Sequence, residues 1–421
     1  MKPSGIEWIG DIPDDWEVRR LKAISKLQTG NTPSTNNKNN YAETGFPWLK
    51  PDDLCGTIKE SQAKVFLSPA GKLETRILPA NSILLCCIGS IGKIGFVSTE
   101  CASNQQITAL IIKHGFWRYF LYVLRIAEEE LMSLSVGNVV FILNSERLGS
   151  LKIPFPPLKT QQKIADYLDE KCGEIDATIA KQKESIEKLK AYKQSLISET
   201  VTKGLDKSAP LKPSGIEWIG DIPAHWEVCK IKNHCNLKTG STPSSKDLSM
   251  FDGTENWFTP SDFTENYMLK NSLRRLNAKV FDQNLVPIFP PLSVLIVGIG
   301  ATTGKVGFTT SKSSSNQQIT AIIPKNKNIF PKFLLFWMIA NTKMIRETAL
   351  FTTLPILNND TLGNATLLIP PYKEQLELAS YIENKNIEID VIINKKQNII
   401  QKLDAYKKSL IFECVTGKTD L

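Results

Sequence analysis

The chain is expected to be an α+β (mixed α/β) protein in which two pseudo-symmetric globular domains are separated by two long antiparallel coiled-coil helices. Three observations predict this. Residues 2–13 read KPSGIEWIGDIP, and residues 212–223 read the same twelve residues. The likeness runs through nearly all of the 421 residues, with an offset that drifts only from 210 to 214. Each copy then closes on a long polar segment with an apolar heptad pattern. Self-similarity on this scale sets the architecture before any local assignment, because each copy must fold as the same unit.

Taken in order, the opening motif is followed by Trp16, Glu17 and Val18, which recur as Trp226, Glu227 and Val228. LQTGNTPS from Leu27 recurs as LKTGSTPS from Leu237, and Trp48, Pro51 and Asp53 recur as Trp257, Pro260 and Asp262. SILLCCIGSIGKIGFV and VLIVGIGATTGKVGFTT read as strand–turn–strand, and the QQITA segments that follow read as a further strand. Around Phe116–Leu131 and Phe330–Thr348, apolar residues recur at three- and four-residue steps, which predicts helices. The copies differ where residues 35–46 face 245–255 and where 55–76 face 264–286. A shared scaffold carrying two different surfaces is the simplest reading.

In the first polar segment, heptad positions a and d hold Leu168, Cys172, Ile175, Ile179, Gln182, Ile186, Leu189, Lys193 and Leu196. In the second they hold Ile382, Asn386, Ile389, Ile393, Lys396, Ile400, Leu403, Lys407 and Leu410. Four or more heptads with charged flanks predict a coiled coil, and a polar residue at the same a position of both (Gln182, Lys396) would help define its register. Neither helix can bury its stripe alone, and the matching sequences make each the natural partner of the other. The expected organisation is a domain over 1–158, a spacer helix over 159–203, a second domain over 204–372 with a linker at 204–211, and a C-terminal helix over 373–421. The protein reads as a closed two-fold object opened at one linker.

Composition places the chain among soluble globular proteins, with 42% hydrophobic and 22% charged residues. No signal peptide or spanning segment is visible, and eight scattered cysteines read as reduced thiols, so a cytoplasmic protein without a membrane partner is expected. The formal charge is +8. The helices hold nine Lys/Arg against eight Asp/Glu (159–203) and seven against seven (373–417), so about +7 falls on the globular parts. That bias is consistent with a polyanionic partner.

In combination, SGIEWIGDIP, the TGxTPS turn, the GxIGKxGF and SNQQITA pair and the Gln-led helix after a proline turn resemble the specificity subunit of type I restriction–modification enzymes. The resemblance covers essentially the whole chain. It implies that each globular part is a target recognition domain for one half of a split, asymmetric site in double-stranded DNA, with the helices as a ruler. It also implies a subunit without catalytic activity or cofactor of its own. Two modification subunits would bind S-adenosylmethionine and methylate adenine, and two restriction subunits would use ATP and Mg.

Base reading needs side chains at groove edges, whereas Lys and Arg on phosphates position the complex. The candidates therefore lie where the halves differ: Asn37, Lys38, Asn39, Asn40, Tyr41, Lys59 and Lys64 in the first, and Ser245, Lys246, Arg274, Arg275 and Lys279 in the second. Gln105, Gln106, Gln317 and Gln318 occur in both halves and are assigned to the scaffold. Three catalytic readings fail. Ile369-Pro370-Pro371-Tyr372 lacks the acceptor that an amino-methyltransferase motif needs at its first position. Gly92-Lys93 and Gly304-Lys305 lack P-loop spacing and a following Ser or Thr. Cys229, His234 and Cys235 have no second ligand pair for zinc. A self-contained DNA-modifying enzyme and a coiled-coil adaptor for protein partners are the competing classes.

Overall fold

The computed structural model describes residues 1–244, 247–264, 266–347, 350–351 and 355–419, with only the backbone at 248, 343, 345, 350, 351 and 355. The chain parts into two compact units: residues 1–184 with 396–421, and residues 185–395. Each unit therefore takes its globular part from one half and helix from both.

The first unit is built around an antiparallel sheet in the order Ser25–Thr29, Ile107–Ile112, Ser82–Cys86, Ile94–Val97. The run SILLC is buried at every position because helix covers one sheet face and loops the other. Alternate side chains go to different cores: Ile83 and Leu85 to the main core, Leu84 and Cys86 to a second. Burying each such side chain stabilises the fold by roughly 1.5–3 kcal/mol. The second unit repeats the sheet as Cys235–Thr239, Ile319–Pro324, Ser293–Val297 and Val306–Thr309, with a short parallel edge at Met268–Leu269. Val294 and Ile296 again part from Leu295 and Val297. The predicted strand–turn–strand elements are all present. The first predicted helix is two, Trp117–Ile126 and Glu128–Ser133, whereas its counterpart is continuous over Pro331–Glu347.

The opening motif is a scaffold element. Gly10 and Gly220 lie at φ +68° and +65°, a left-handed turn that suits glycine. The turn sends Ile9, Ile12 and Trp16 into the core against Leu410, Ile411, Cys414 and Val415. Ile219, Ile222 and Trp226 do the same against Leu196, Ile197 and Val201. Each opening motif thus seals against the end of the long helix that precedes it in the repeat.

The long helices span Leu158–Lys203 and Tyr372–Thr416. Gln161 and Gln375 are fully buried at their first turns. The Gln161 amide donates to Pro156 O (2.8 Å), and its Oε1 accepts from Phe116 N (2.7 Å). Gln375 repeats this with Pro370 O (2.8 Å) and Phe330 N (2.8 Å), and adds Asn328 O (2.9 Å). One side chain therefore ties the proline turn, the helix start and the preceding segment together. Seam residues Leu168, Ile175, Ile179, Ile186, Leu196, Ile382, Ile389, Ile393 and Leu410 are buried. Leu189, Ile400 and Leu403 are half-buried. Within the first unit the helices run antiparallel: Lys407 bonds Asp176 (2.7 Å) and Lys396 Nζ donates to Gln182 Oε1 (3.0 Å). Within the second, Lys193 bonds Asp390 (2.7 Å). The polar a-position pair expected from the heptads is therefore a direct hydrogen bond, a feature that discriminates against other registers. Among the described residues no helix is long and apolar enough to cross a membrane.

Candidate nucleic-acid interface

The repeated loop motifs gather at one end of each central sheet, as the strand register requires. Thr29 pairs with Thr108 and Ile107 with Cys86, so the TGNTPS, SNQQ and CIGSIGK loops all leave the sheet beside one another. Thr239, Ile319 and Val297 place the second set in the same way. Loops presented together by a rigid sheet are a common location for recognition.

The motifs interlock. A Cβ on Gly30 would lie 2.2 Å from Ser103 O, and one on Gly240 would lie 2.2 Å from Ser315 Oγ, so the close approach admits glycine alone. Asn31 N donates to Ser103 O, Thr32 Oγ1 to Gln105 Oε1 (2.5 Å) and Thr242 Oγ1 to Gln317 Oε1 (2.6 Å). Gln106 and Gln318 each accept from the neighbouring Asn104 and Asn316 amides at 2.9 Å. The four glutamines brace the turns, in keeping with their scaffold assignment, although Gln105 and Gln317 remain exposed.

Beside these loops lies a small second sheet that carries the divergent segments. In the first unit Phe46–Leu49 pairs with Val65–Leu67 and Ala102–Ser103. In the second Glu255–Phe258 pairs with Arg274–Leu276 and Ser313–Ser315. Trp48 and Trp257 anchor both, each burying its ring and donating Nε1 to the glycine-turn carbonyl of Asn31 or Ser241 at 3.1 Å. Asp53 and Asp262 cap the next turn by accepting from Lys50 N (2.9 Å) and Thr259 N (2.7 Å). Ser68 and Asn277 then cap equivalent short helices. The divergent segments thus share one backbone plan, and the difference is in what it carries. Val65 and Phe66 stand where the second unit has Arg274 and Arg275, since both pairs face the Trp-bearing strand in the same register.

Lys38, Asn39, Lys59 and Lys64 are exposed. Asn37 is exposed but occupied, its Oδ1 accepting from Asn39 N at 3.2 Å. Asn40 departs from the expectation of a DNA-facing residue. Its side chain is fully buried and donates to Glu74 Oε2 (2.8 Å) and Ser34 O (3.2 Å), which makes it the brace of this loop. Tyr41 is half-buried, edge-on to Trp48, with its hydroxyl donating to Pro33 O at 3.0 Å; burial, with nearby Glu74, raises its pKa. Arg274 is exposed with its guanidinium 4.5 Å over Phe251 and 5.3 Å over Trp257. Arg275 donates to Thr254 O (3.2 Å) and Asn271 Oδ1 (3.0 Å). Lys279 is exposed in the short helix Ala278–Asp282. Ser245 and Lys246 lie outside the described residues.

The fold adds cations that the sequence reading passed over. Lys72 Nζ lies 4.2 Å over Phe46, Lys50 Nζ lies 5.2 Å over Trp48, and Lys312 Nζ lies 5.4 Å over Phe281. Arg76 donates to Thr29 O at 2.9 Å and so sits against the TGNTPS turn. Lys72 and Arg76 fall within a divergent segment, which could have flagged them, whereas Lys50 and Lys312 lie outside those segments. Stacked on aromatic rings, the cations are held in place while facing solvent, an arrangement suited to phosphates or base edges.

A family model described as Type I restriction modification DNA specificity domain matches residues 13–190 and again 223–403. The chain belongs to that family. Full-length relatives of this specificity family include the type I restriction enzyme MjaIX specificity subunit of Methanocaldococcus jannaschii, 24% identical over 96% of this chain and 94% of the relative. The Escherichia coli type I restriction enzyme EcoBI specificity subunit is 24% identical over 99% and 88%. Among solved structures, a chain of a type I R-M system studied for complex assembly superposes with a TM-score of 0.76 at 14% identity, covering 97% of this chain and all of that one. The HsdS subunit from Thermoanaerobacter tengcongensis gives 0.54 at 14% identity over 97% and 98%. The fold of two specificity domains with two long helices is shared with these structures.

Proposed function

We propose that this chain is the DNA-specificity subunit of a type I restriction–modification complex. Each globular part reads one half of a bipartite, asymmetric site in double-stranded DNA. The long helices define the unread gap and offer docking surface to two adenine-modifying and two restriction subunits. The chain itself performs no chemistry; S-adenosylmethionine, ATP and Mg are bound by those partners, in the cytoplasm.

The observation that carries this reading is the pair of homologous platforms bearing unlike residues at register-equivalent positions, Val65 and Phe66 against Arg274 and Arg275. One scaffold with two chemistries suits the reading of two unlike half-sites, because base edges are told apart by side-chain donors and acceptors while the frame only positions them. The exposed Lys38, Lys59, Lys64, Arg274 and Lys279 and the ring-stacked Lys50, Lys72 and Lys312 are assigned to DNA contact. The test is single-molecule sequencing of adenine methylation in cells carrying the cognate modification subunit, with and without this chain. A split asymmetric motif that appears only with the chain is expected. An assembled complex that leaves no chain-dependent mark would instead support a protein adaptor.

A further inference from the structure

Near the end of each divergent segment a short helix stops at an exposed polar side chain. Pro69–Leu73 ends on Glu74, and Ala278–Asp282 ends on Gln283. Both helices have five residues and start from a capping side chain, Ser68 or Asn277. In the first unit the terminal side chain is held by two loops of the candidate interface. Ser34 N of the TGNTPS turn (3.2 Å) and Asn40 Nδ2 of the NNKNN segment (2.8 Å) both donate to Glu74 Oε2. Asn31 Nδ2 donates to Glu74 O (2.7 Å), and Arg76 N donates to Asn31 Oδ1 (2.9 Å). Backbone and carboxylate are thus both anchored, although the residue is exposed. Among the described residues nothing bonds to the other oxygen, Oε1. A carboxylate already fixed in place loses little further freedom when its open oxygen meets a donor.

Chemistry narrows what that donor is. A carboxylate only accepts hydrogen bonds. Phosphates offer no donor and repel it, whereas cytosine N4 and adenine N6 present donors in the major groove. Cations must offset the carboxylate beside a DNA backbone. Exposed Arg76 follows two residues later, and exposed Lys38 belongs to the segment that Glu74 holds.

We infer that Glu74 is a specificity-determining residue whose open oxygen accepts the exocyclic amino group of one cytosine or adenine in the first half-site. This rests on the proposed function. The test is single-molecule sequencing of adenine methylation in cells carrying the cognate modification subunit and either the full wild-type chain or its Glu74→Gln variant. An amide already stands at the equivalent helix end as Gln283. The amide oxygen of the variant can still accept from Ser34 and Asn40, so its NH2 group puts a donor where an acceptor stood. One base pair, in the half of the motif that Arg274→Ala leaves intact, should lose its preference for cytosine or adenine on one strand by roughly 5- to 150-fold and admit guanine or thymine there. Whether the wild-type base is cytosine or adenine names the amino group that is read. Hydrogen exchange of the peptide covering residues 34–41 should match wild type. An unchanged motif, or an exchange only between cytosine and adenine, overturns the inference. Weakening of the whole first half with faster exchange at residues 34–41 also overturns it, and leaves Glu74 as a loop brace alone. A wild-type chain that leaves no chain-dependent mark would overturn the proposed function, and this inference with it, before any variant is compared.

Discussion

Replacing Gln375 with Leu should detach the second recognition domain from its helix more severely than the same change at Gln161 does in the first. Both side chains are fully buried at a helix start. Gln375 serves Pro370 O, Asn328 O and Phe330 N, whereas Gln161 serves Pro156 O and Phe116 N. Leu fills similar volume but leaves those backbone groups without partners. At about 1 kcal/mol net per hydrogen bond, and more where the orphaned group stays dry, the loss is roughly 3–5 kcal/mol for Gln375→Leu and roughly 2–3 kcal/mol for Gln161→Leu. Domains of this kind are commonly stable by only about 5–15 kcal/mol. The two units need not unfold together, so hydrogen exchange read by mass spectrometry on peptides spanning Phe116 and Phe330 is the suitable assay. Each variant should lose protection first in its own unit, with the larger loss at Phe330. Wild-type protection in the Gln375 variant, or a larger effect from Gln161, would refute the clamp.

Leu292 holds φ at +65°, at the position where the first half has Asn81 at φ +60°. Leu292→Asn should stabilise the second unit by roughly 0.5–1 kcal/mol in denaturant titrations, because Asn tolerates the left-handed region better than Leu. Arg274→Ala should weaken DNA binding roughly 5- to 150-fold, the range expected for one lost base contact, and relax only the second half of the methylated motif. Removing one heptad from each long helix should shorten the unread gap by near three base pairs, since seven residues span about 10 Å. An unchanged gap would reject the ruler. At pH 8 an aromatic disulfide reagent should titrate one thiol, that of exposed Cys55. Burial pushes Cys87 and Cys172 up to about 11, and Cys101, Cys229, Cys235 and Cys414 up to about 12. Their folded pKa values lie above those of the unfolded chain. The stability they contribute is therefore complete below about pH 8.5 and is lost as pH rises toward 11–12, visible as a falling midpoint in alkaline thermal scans.

The helices and their seam were legible because heptad periodicity is a local signal that both copies repeat. Leu189, Ile400 and Leu403 fill the seam only partly, and periodicity alone does not report how closely a partner approaches. The Gln-led helix was visible as a motif, but its cause was not. Phe116 and Phe330 reach their glutamines across 45 residues. The recognition surface was the least legible part. Within NNKNN, Lys38 and Asn39 face water while Asn40 is sealed beneath Glu74, which lies 34 residues further on. Composition cannot separate a solvated asparagine from one that braces a loop. Lys72 and Lys312 were missed for the same reason, since Phe46 and Phe281 come beneath them only when separate segments fold together.

Each globular part is also tied to the long helix that follows it by an ion pair, and the two pairs are chemically different. Arg118 donates to Asp169 through Nε at 2.6 Å, with Tyr122 adding a bond to the same carboxylate at 2.7 Å. The equivalent positions hold Lys332 and Glu383, 2.7 Å apart. A planar fork matched to a short carboxylate has been exchanged, as a set, for a point charge matched to a long one. A hybrid chain joined at the proline turns would set Arg118 against Glu383, or Lys332 against Asp169, and lose that fit. A hybrid joined beyond Asp169 and Glu383 would keep each cation with its own acid. The boundary at which these halves can be exchanged without loss therefore lies more than two turns inside the helix, past the point where the globular part ends.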